Sequence, residues 1–268
     1  MDQGPGGAPG PEAGWPGPVR PARRRRSRLT RLVRQILLLC FIVVVVAVLA
    51  FGGLLLVTPS AGNARQIAMG IDAAHDAAYP GAAAPYRFAT ALEATEDHRF
   101  ASEPGIDLFA VVRVAYGYVT GKGDQGGATL YQQLAKMLYT PGRSGPGAEA
   151  EQVALAVKLK YSYSGAEVLR LYGDVAYFGH GFYGLQAASC GYFGVRPDQM
   201  SWPQAALLAG LVQAPTTDDP LAQPAAGRAR EQHVVGRLVA VGALTQGQAS
   251  SYLAIPLDVL LANAGGCS

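Results

Sequence analysis

The chain has 268 residues, 50% hydrophobic and 15% charged, a composition that is apolar for a soluble protein and excludes wholesale disorder. Eight of the 22 Lys and Arg lie within residues 1–34 against only Asp2 and Glu12, so that segment carries +6 and residues 35–268 carry −3. The overall charge of +3 therefore belongs to a tail, and the body of the protein offers no bulk positive field to nucleic acid.

Residues 1–19 contain five Pro and six Gly, and residues 1–35 read as a disordered, basic cytoplasmic leader. The run ILLLCFIVVVVAVLAFGGLLLV, residues 36–57, has no charged side chain over 22 positions. About 20 helical residues span a bilayer core, so this is a transmembrane helix. A cleaved signal peptide would have a shorter apolar core followed soon by a small-residue cleavage site. The arginines just before the span place the N-terminus in the cytoplasm and residues 58–268 outside. A nuclear-localisation reading of the same arginines does not fit beside such a run.

Beyond the span, residues 58–84 read as a membrane-proximal linker, 85–255 as one helical domain and 256–268 as a tail. In GATLYQQLAKMLY, residues 127–139, Leu130, Leu134, Met137 and Leu138 fall on one helical face, while Thr129, Gln133 and Lys136 share another. Residues 149–160, 166–178, 184–193, 201–213 and 224–241 show similar Ala- and Leu-rich stretches, and alternating strand patterns are absent. Turns fall at 80–85, 121–127, 141–147, 179–184 and 215–224, where Gly and Pro cluster. Of the three cysteines, Cys40 lies in the span; an exported compartment permits a Cys190–Cys267 disulfide, with a buried free thiol at Cys190 the favoured reading. Four scattered His and no Cys-x-x-Cys argue against structural zinc.

Several motifs of other chemistries fail. Gly179, Gly181 and Gly184 have the dinucleotide-loop spacing but no preceding strand and no acidic residue about 20 positions on. A G-x-S-x-G elbow, an H-E-x-x-H helix, a Walker loop and an S-x-x-K acylation site are all missing. What remains is a set of carboxylates in residues 93–107, a polar helix face opened by Gly126 and Gly127, and an aromatic and glycine-rich stretch at 172–194. Each has an ordinary structural explanation, a solvated helix end, an exposed face or core packing, and together they suggest carbohydrate chemistry.

In order, these pieces resemble glycosyltransferase family 51, the peptidoglycan glycosyltransferases. The family's E-D-x-x-F motif, with its following Gly and acidic position, is met by Glu96, Asp97, Phe100, Gly105 and Asp107. Its G-G-S-T-x-x-Q-Q-L-A-K motif is met by Gly126, Gly127, Thr129, Gln132, Gln133, Leu134, Ala135 and Lys136. Its later aromatic pattern appears at Tyr172, Tyr177, Phe178, Gly179, Gly181, Tyr183 and Gly184, followed by Tyr192, Phe193 and Gly194. The resemblance covers residues 85–250 or so, with departures at Glu103, Ala128, Gly165 and Asp174, the last standing where the family has Asn. The motif R-K-x-x-E, source of the family's second carboxylate, is altered: a gapless count lands on Gln152, with Glu151 one residue away. We expect Glu151 to fill that slot.

The resemblance implies a mainly α, lysozyme-like domain with a small membrane-proximal jaw region, preceded by one transmembrane helix in the bacterial cytoplasmic membrane. It implies polymerisation of lipid II by inverting transfer to an acceptor 4-hydroxyl, with Glu96 as general base. Asp97, Phe100, Arg113, Thr129, Gln132, Gln133, Lys136, Arg143 and Lys158 are the implied substrate-binding residues, the cations facing the pyrophosphate leaving group. No cofactor is required, though a divalent cation could assist at the pyrophosphate. Lipid II, the growing glycan strand and the membrane are the expected partners, with penicillin-binding transpeptidases and other cell-wall proteins as candidates and no nucleic acid. The few residues after 250 suggest a monofunctional enzyme. A glycan hydrolase of the same fold and a weakly catalytic cell-wall scaffold are the alternatives.

Overall fold

The structure is a computed structural model that describes residues 23–102 and 128–257, with Val259, Cys267 and a few positions near the N-terminus; in the first helix, side chains are described from Leu29 onward. The chain forms two compact units, residues 1–50 and 51–268. Most of α1 (Arg23–Val57, 35 residues) makes up the first. Its segment Leu29–Val57, with a mean hydropathy of 3.1, is long and apolar enough to cross a membrane. Residues 23–35, expected within a disordered leader, instead continue this helix. Arg and Leu are good helix formers, and a helix once nucleated propagates at one hydrogen bond per residue. The rest of the leader lies largely outside the described residues.

The second unit contains α2 (Ala64–Ala74), α3 (Tyr86–Glu96), α4 (Leu130–Tyr139), α5 (Pro146–Ser162), α6 (Gly165–Val175), α7 (Leu185–Phe193), α8 (Trp202–Leu211), α9 (Pro224–Ala240) and α10 (Gln246–Ala254), with short 3₁₀ turns at Ala61–Asn63 and Pro197–Gln199. Among the described residues there is no strand, only one antiparallel bridge between Tyr177 and Tyr183, as the mainly helical reading requires. Helix α8, WPQAALLAGL, is apolar all round and is buried from Ala205 to Leu211, the burial expected of a helix without a polar face. A capping box between Ser201 and Gln204 fixes its start. Helices α3 and α9 pack against it and against each other. A Cβ at Gly210 would overlap the Arg230 side chain, so glycine there allows α9 its close approach.

The segment read as a linker, residues 58–84, contains α2, whose Ala64 and Ala68 are wholly buried in the same core as Phe88, Leu92 and Leu134. Ala64, Ile67, Ala68 and Ile71 fall at helical spacing on one core-facing side, a periodic signal that the linker reading passed over. Side chains satisfy the carbonyls that lead into it: Lys158 Nζ donates to Thr58 O (2.7 Å) and Pro59 O (2.9 Å), and the Tyr139 and Tyr163 hydroxyls donate to Ala61 O (3.2 and 3.0 Å). The glycines of 179–184 form a turn, with Gly179, Gly181 and Gly184 at positive φ and Phe182 N–H donating to Gly179 O at 2.8 Å. Cys190 and Cys267 form a disulfide with a Cα–Cα distance of 5.4 Å, which corrects the free-thiol reading of Cys190. Leu257 and Val259 pack against the core on the way to it.

Two buried carboxylates meet between α2 and α6. Asp72 is 1% exposed and Asp174 5% exposed; Arg170 Nη1 reaches Asp174 Oδ2 at 3.5 Å. Neither oxygen of Asp72 has a hydrogen-bond partner among the described residues. Burial pushes Asp72 from 3.8 up to about 6, against the pull of Arg170. Burial and then the charge of Asp72 push Asp174 up to about 7. Both shifts are upward, so the folded state binds more protons than the unfolded one above pH 3.8. The stability this gives is complete below that pH and is lost as pH rises through about 6 to 7. Asp174→Asn keeps an acceptor for the Gly81 N–H while removing the charge. It should therefore raise stability at pH 8 and flatten the decline between pH 5 and 8. Urea unfolding of both proteins across that range is the check; parallel pH profiles would refute it.

Candidate active site

A cleft of about 1060 Å³ opens in the second unit. Part of its lining is apolar, from Ile67 and Ile71 of α2, Met137 of α4 and Val175 of α6. Its polar part carries Glu96, Gln133, Lys136, Gln213 and His233. Aromatic rings complete the lining: His75 stacks on Tyr183 with ring centroids 3.5 Å apart and planes within 5°, and the Tyr177 ring centroid lies 4.7 Å from that of Tyr183.

The polar part is built by the junction of α3 with α4. Helix α3 ends at Glu96, and Asp97 leaves the helical conformation at φ −158° and ψ 74°. The two carboxylates thereby diverge. Asp97 is buried, and its Oδ2 accepts the Leu130 N–H at the start of α4 (3.0 Å). Helix starts expose unpaired N–H groups and the positive end of the helix dipole, both of which favour a carboxylate. Thr129 and Gln132 complete the start as a capping box, Thr129 Oγ1 accepting from Gln132 N–H at 3.2 Å and Gln132 Oε1 from Thr129 N–H at 2.9 Å. With the start fixed, Leu130, Leu134 and Leu138 turn into the core, while Gln133 and Lys136 face the cleft.

Glu96 is held by Gln133, whose Nε2 donates to Glu96 Oε2 at 2.8 Å. The Tyr172 hydroxyl donates to Gln133 Oε1, also at 2.8 Å. Burial pushes the Glu96 carboxyl above its ordinary value, opposed by the Gln133 hydrogen bond and by the electrostatic influence of nearby Arg230 and His233. Lys136 is exposed and has no ion-pair partner among the described residues. Its ammonium is available to an anion in the cleft.

The structure thus gathers Glu96, Gln133 and Lys136 at the cleft and gives the other sequence candidates different surroundings. Asp97, Thr129 and Gln132 shape the start of α4. Phe100 is buried and stacks on Tyr131 with centroids 4.8 Å apart. Lys158 holds the carbonyls at 58 and 59. Arg143 pairs with Glu151 at 2.7 Å, and Gln152 Nε2 donates to the Thr140 hydroxyl at 2.9 Å. Neither Glu151 nor Gln152 lines the cleft, although Pro141 and Gly142, next to Arg143, do. Arg113, Glu103, Gly105, Asp107, Gly126 and Gly127 lie outside the described residues. Sequence reasoning missed His75 and His233, which stand alone in their segments with no periodic or motif signal; Gln213 lies in AALLAGLVQAP, residues 205–215, a stretch that continues the family resemblance but was not singled out as a site. Among the described residues no group of three or more His, Cys, Asp or Glu is arranged to hold a metal ion.

Residues 65–239 match the transglycosylase family, and the chain belongs to it. The chain is 32% identical over 173 residues to a Cupriavidus necator protein named for an inferred transglycosylase activity, covering 65% of this chain and 75% of that one. It is 35% identical over 176 residues to penicillin-binding protein 1A of Aquifex aeolicus, and 36% over 167 residues to penicillin-binding protein 1A of Mycolicibacterium smegmatis. Those matches cover 65% and 60% of this chain but only 24% and 21% of the two relatives, so the chain spans less than a quarter of their length. Penicillin-binding protein 1A of Haemophilus influenzae is a structural neighbour at a TM-score of 0.35 and 21% identity, over 52% of this chain and 17% of that one. The family agrees with the motif resemblance, and the enzyme class is peptidoglycan glycosyltransferase.

The geometry makes Asp97 the acceptor for a buried helix start. Asp97→Ala should lower unfolding free energy by about 1–3 kcal/mol, the cost of an unsatisfied buried donor, whereas Asp97→Asn retains an acceptor and most of the stability. Denaturant midpoints at constant slope measure this. Equal losses in the two variants would contradict the capping role.

Proposed function

We propose that this enzyme polymerises lipid II at a membrane surface, with Glu96 as the general base that takes the proton of the acceptor 4-hydroxyl as it attacks the anomeric carbon of the lipid-linked donor. The observation that carries the reading is Glu96 itself: a desolvated carboxylate facing the cleft and fixed by the 2.8 Å hydrogen bond from Gln133. Desolvation raises proton affinity, which strengthens a base as long as the working pH keeps it ionised. Lys136 follows Gln133 by three positions on α4, so both face the cleft together. Its ammonium suits the charge that builds on the departing pyrophosphate. The apolar part of the cleft lining suits the first units of a polyprenyl chain. In this reading α1 anchors the protein with its N-terminus in the cytoplasm, keeping the domain at the outer face where such a substrate lies. No step is assigned to a metal or cofactor.

We assign the second carboxylate to Glu151. Its support is the pairing with Arg143, adjacent to the cleft-lining turn at 141–142, whereas the Gln152 amide is engaged with buried Thr140. A second reading, glycan hydrolysis, draws on the same raised Glu96 carboxyl, which would also suit a general acid. Incubation with labelled lipid II separates the two, since only the first gives polymer.

Glu96→Gln is nearly isosteric and cannot accept the proton. Polymerisation should fall by about 10² to 10⁴ with the helical circular dichroism unchanged, and polymer at near wild-type rate would remove Glu96 from the mechanism. Glu151→Gln should cost activity on a similar scale. The assignment of Glu151 is lost if that variant is nearly silent while Gln152→Glu is faster than wild type.

A further inference from the structure

We propose that Tyr172 is the positioning residue of this site: from inside the core, and without touching substrate, it sets the orientation and proton affinity of Glu96 through the side chain of Gln133. The proposal rests on the reading of Glu96 as the base and assigns the base a fixed support.

The hydrogen-bond directions allow one arrangement. A glutamine amide has one acceptor oxygen and two donor hydrogens. Gln133 Nε2 faces two acceptors, Glu96 Oε2 at 2.8 Å and Ala128 O at 3.5 Å, so Oε1 must face Tyr172, whose hydroxyl donates to it at 2.8 Å. Turned over, the amide would set its oxygen against a carboxylate and a carbonyl. In the orientation those two acceptors impose, Tyr172 supplies the donor that Oε1 needs, and its phenol keeps that proton at every working pH: it is buried at 2% exposure, and burial pushes its pKa well above the usual tyrosine value. A hydroxyl in an apolar core is costly unless it is paired, and Gln133 is its hydrogen-bond partner among the described residues. The three groups come from α3, α4 and α6, so the chain runs across the helices and inherits the rigidity of their packing. Gln133 then serves chiefly to hold the base.

The test follows the Glu96 carboxyl directly. Full-length protein in detergent, carrying glutamate labelled with ¹³C at the side-chain carboxyl, is titrated by NMR, with Glu96→Gln identifying the resonance. Tyr172→Phe removes only the hydroxyl. It should raise the Glu96 midpoint by about one pH unit, the scale of one hydrogen bond to a charged group. With lipid II as substrate, the acid limb of the rate profile should move up equally, and kcat should fall about 10- to 100-fold at little changed KM. Gln133→Leu should shift the same resonance at least as far, and the double variant no further than Gln133→Leu alone. An unmoved Glu96 titration in either single variant overturns the proposal, as do shifts that add in the double variant. A resonance that moves while the rate profile stays put upholds the relay and removes Glu96 as the base.

Discussion

The hydrogen bond from the first turn of α4 to Asp97 is the constraint on which the site depends. A helix start buried in a core needs acceptors for its N–H groups, and Asp97 supplies one from the end of the preceding described helix. Satisfying it requires the chain to leave α3 immediately after Glu96, so one break in helical conformation separates two adjacent carboxylates into a structural one and a cleft-facing one. It also sets the rotation of α4. Had α4 begun a residue later, the leucine face would no longer meet the core, and Gln133 would not reach Glu96.

The same physics gives two outcomes in this molecule. Glu96 and the Asp72–Asp174 pair are all raised by burial. Glu96 has a neutral donor at 2.8 Å that favours its charged form without cancelling the charge. Asp72 has no donor among the described residues, and Asp174 shares Arg170 with Glu167. The first arrangement keeps a carboxylate usable as a base inside a cleft. The second ties the stability of the α2–α6 contact to pH.

Helix α2 links these features. Its buried alanines dock it on the core, its isoleucines belong to the apolar part of the cleft lining, and Asp72 faces α6. The carbonyls just before it are held by Lys158, Tyr139 and Tyr163. The segment leading into the domain is thus fixed by side chains from α4, α5 and the residue after α5, and the isoleucines of the cleft lining are positioned by the same contacts.

Local pattern determined much of this protein. An uninterrupted apolar run specifies a helix long and apolar enough to cross a membrane, the 3.6-residue period of LYQQLAKMLY specifies which leucines are buried, and Gly and Pro mark the turns, because each of these is decided by neighbours within a few residues. The family motifs also brought Glu96, Gln133 and Lys136 forward as a group. What each motif letter does was decided only in three dimensions. Asp97, Thr129 and Gln132 cap a helix and Phe100 packs on Tyr131, although they stand in the same motifs as the residues of the cleft. The Tyr172 contact spans 39 positions and the Cys190–Cys267 bridge 77. Contacts at such separations depend on how whole helices pack, and no periodicity within a single segment encodes that.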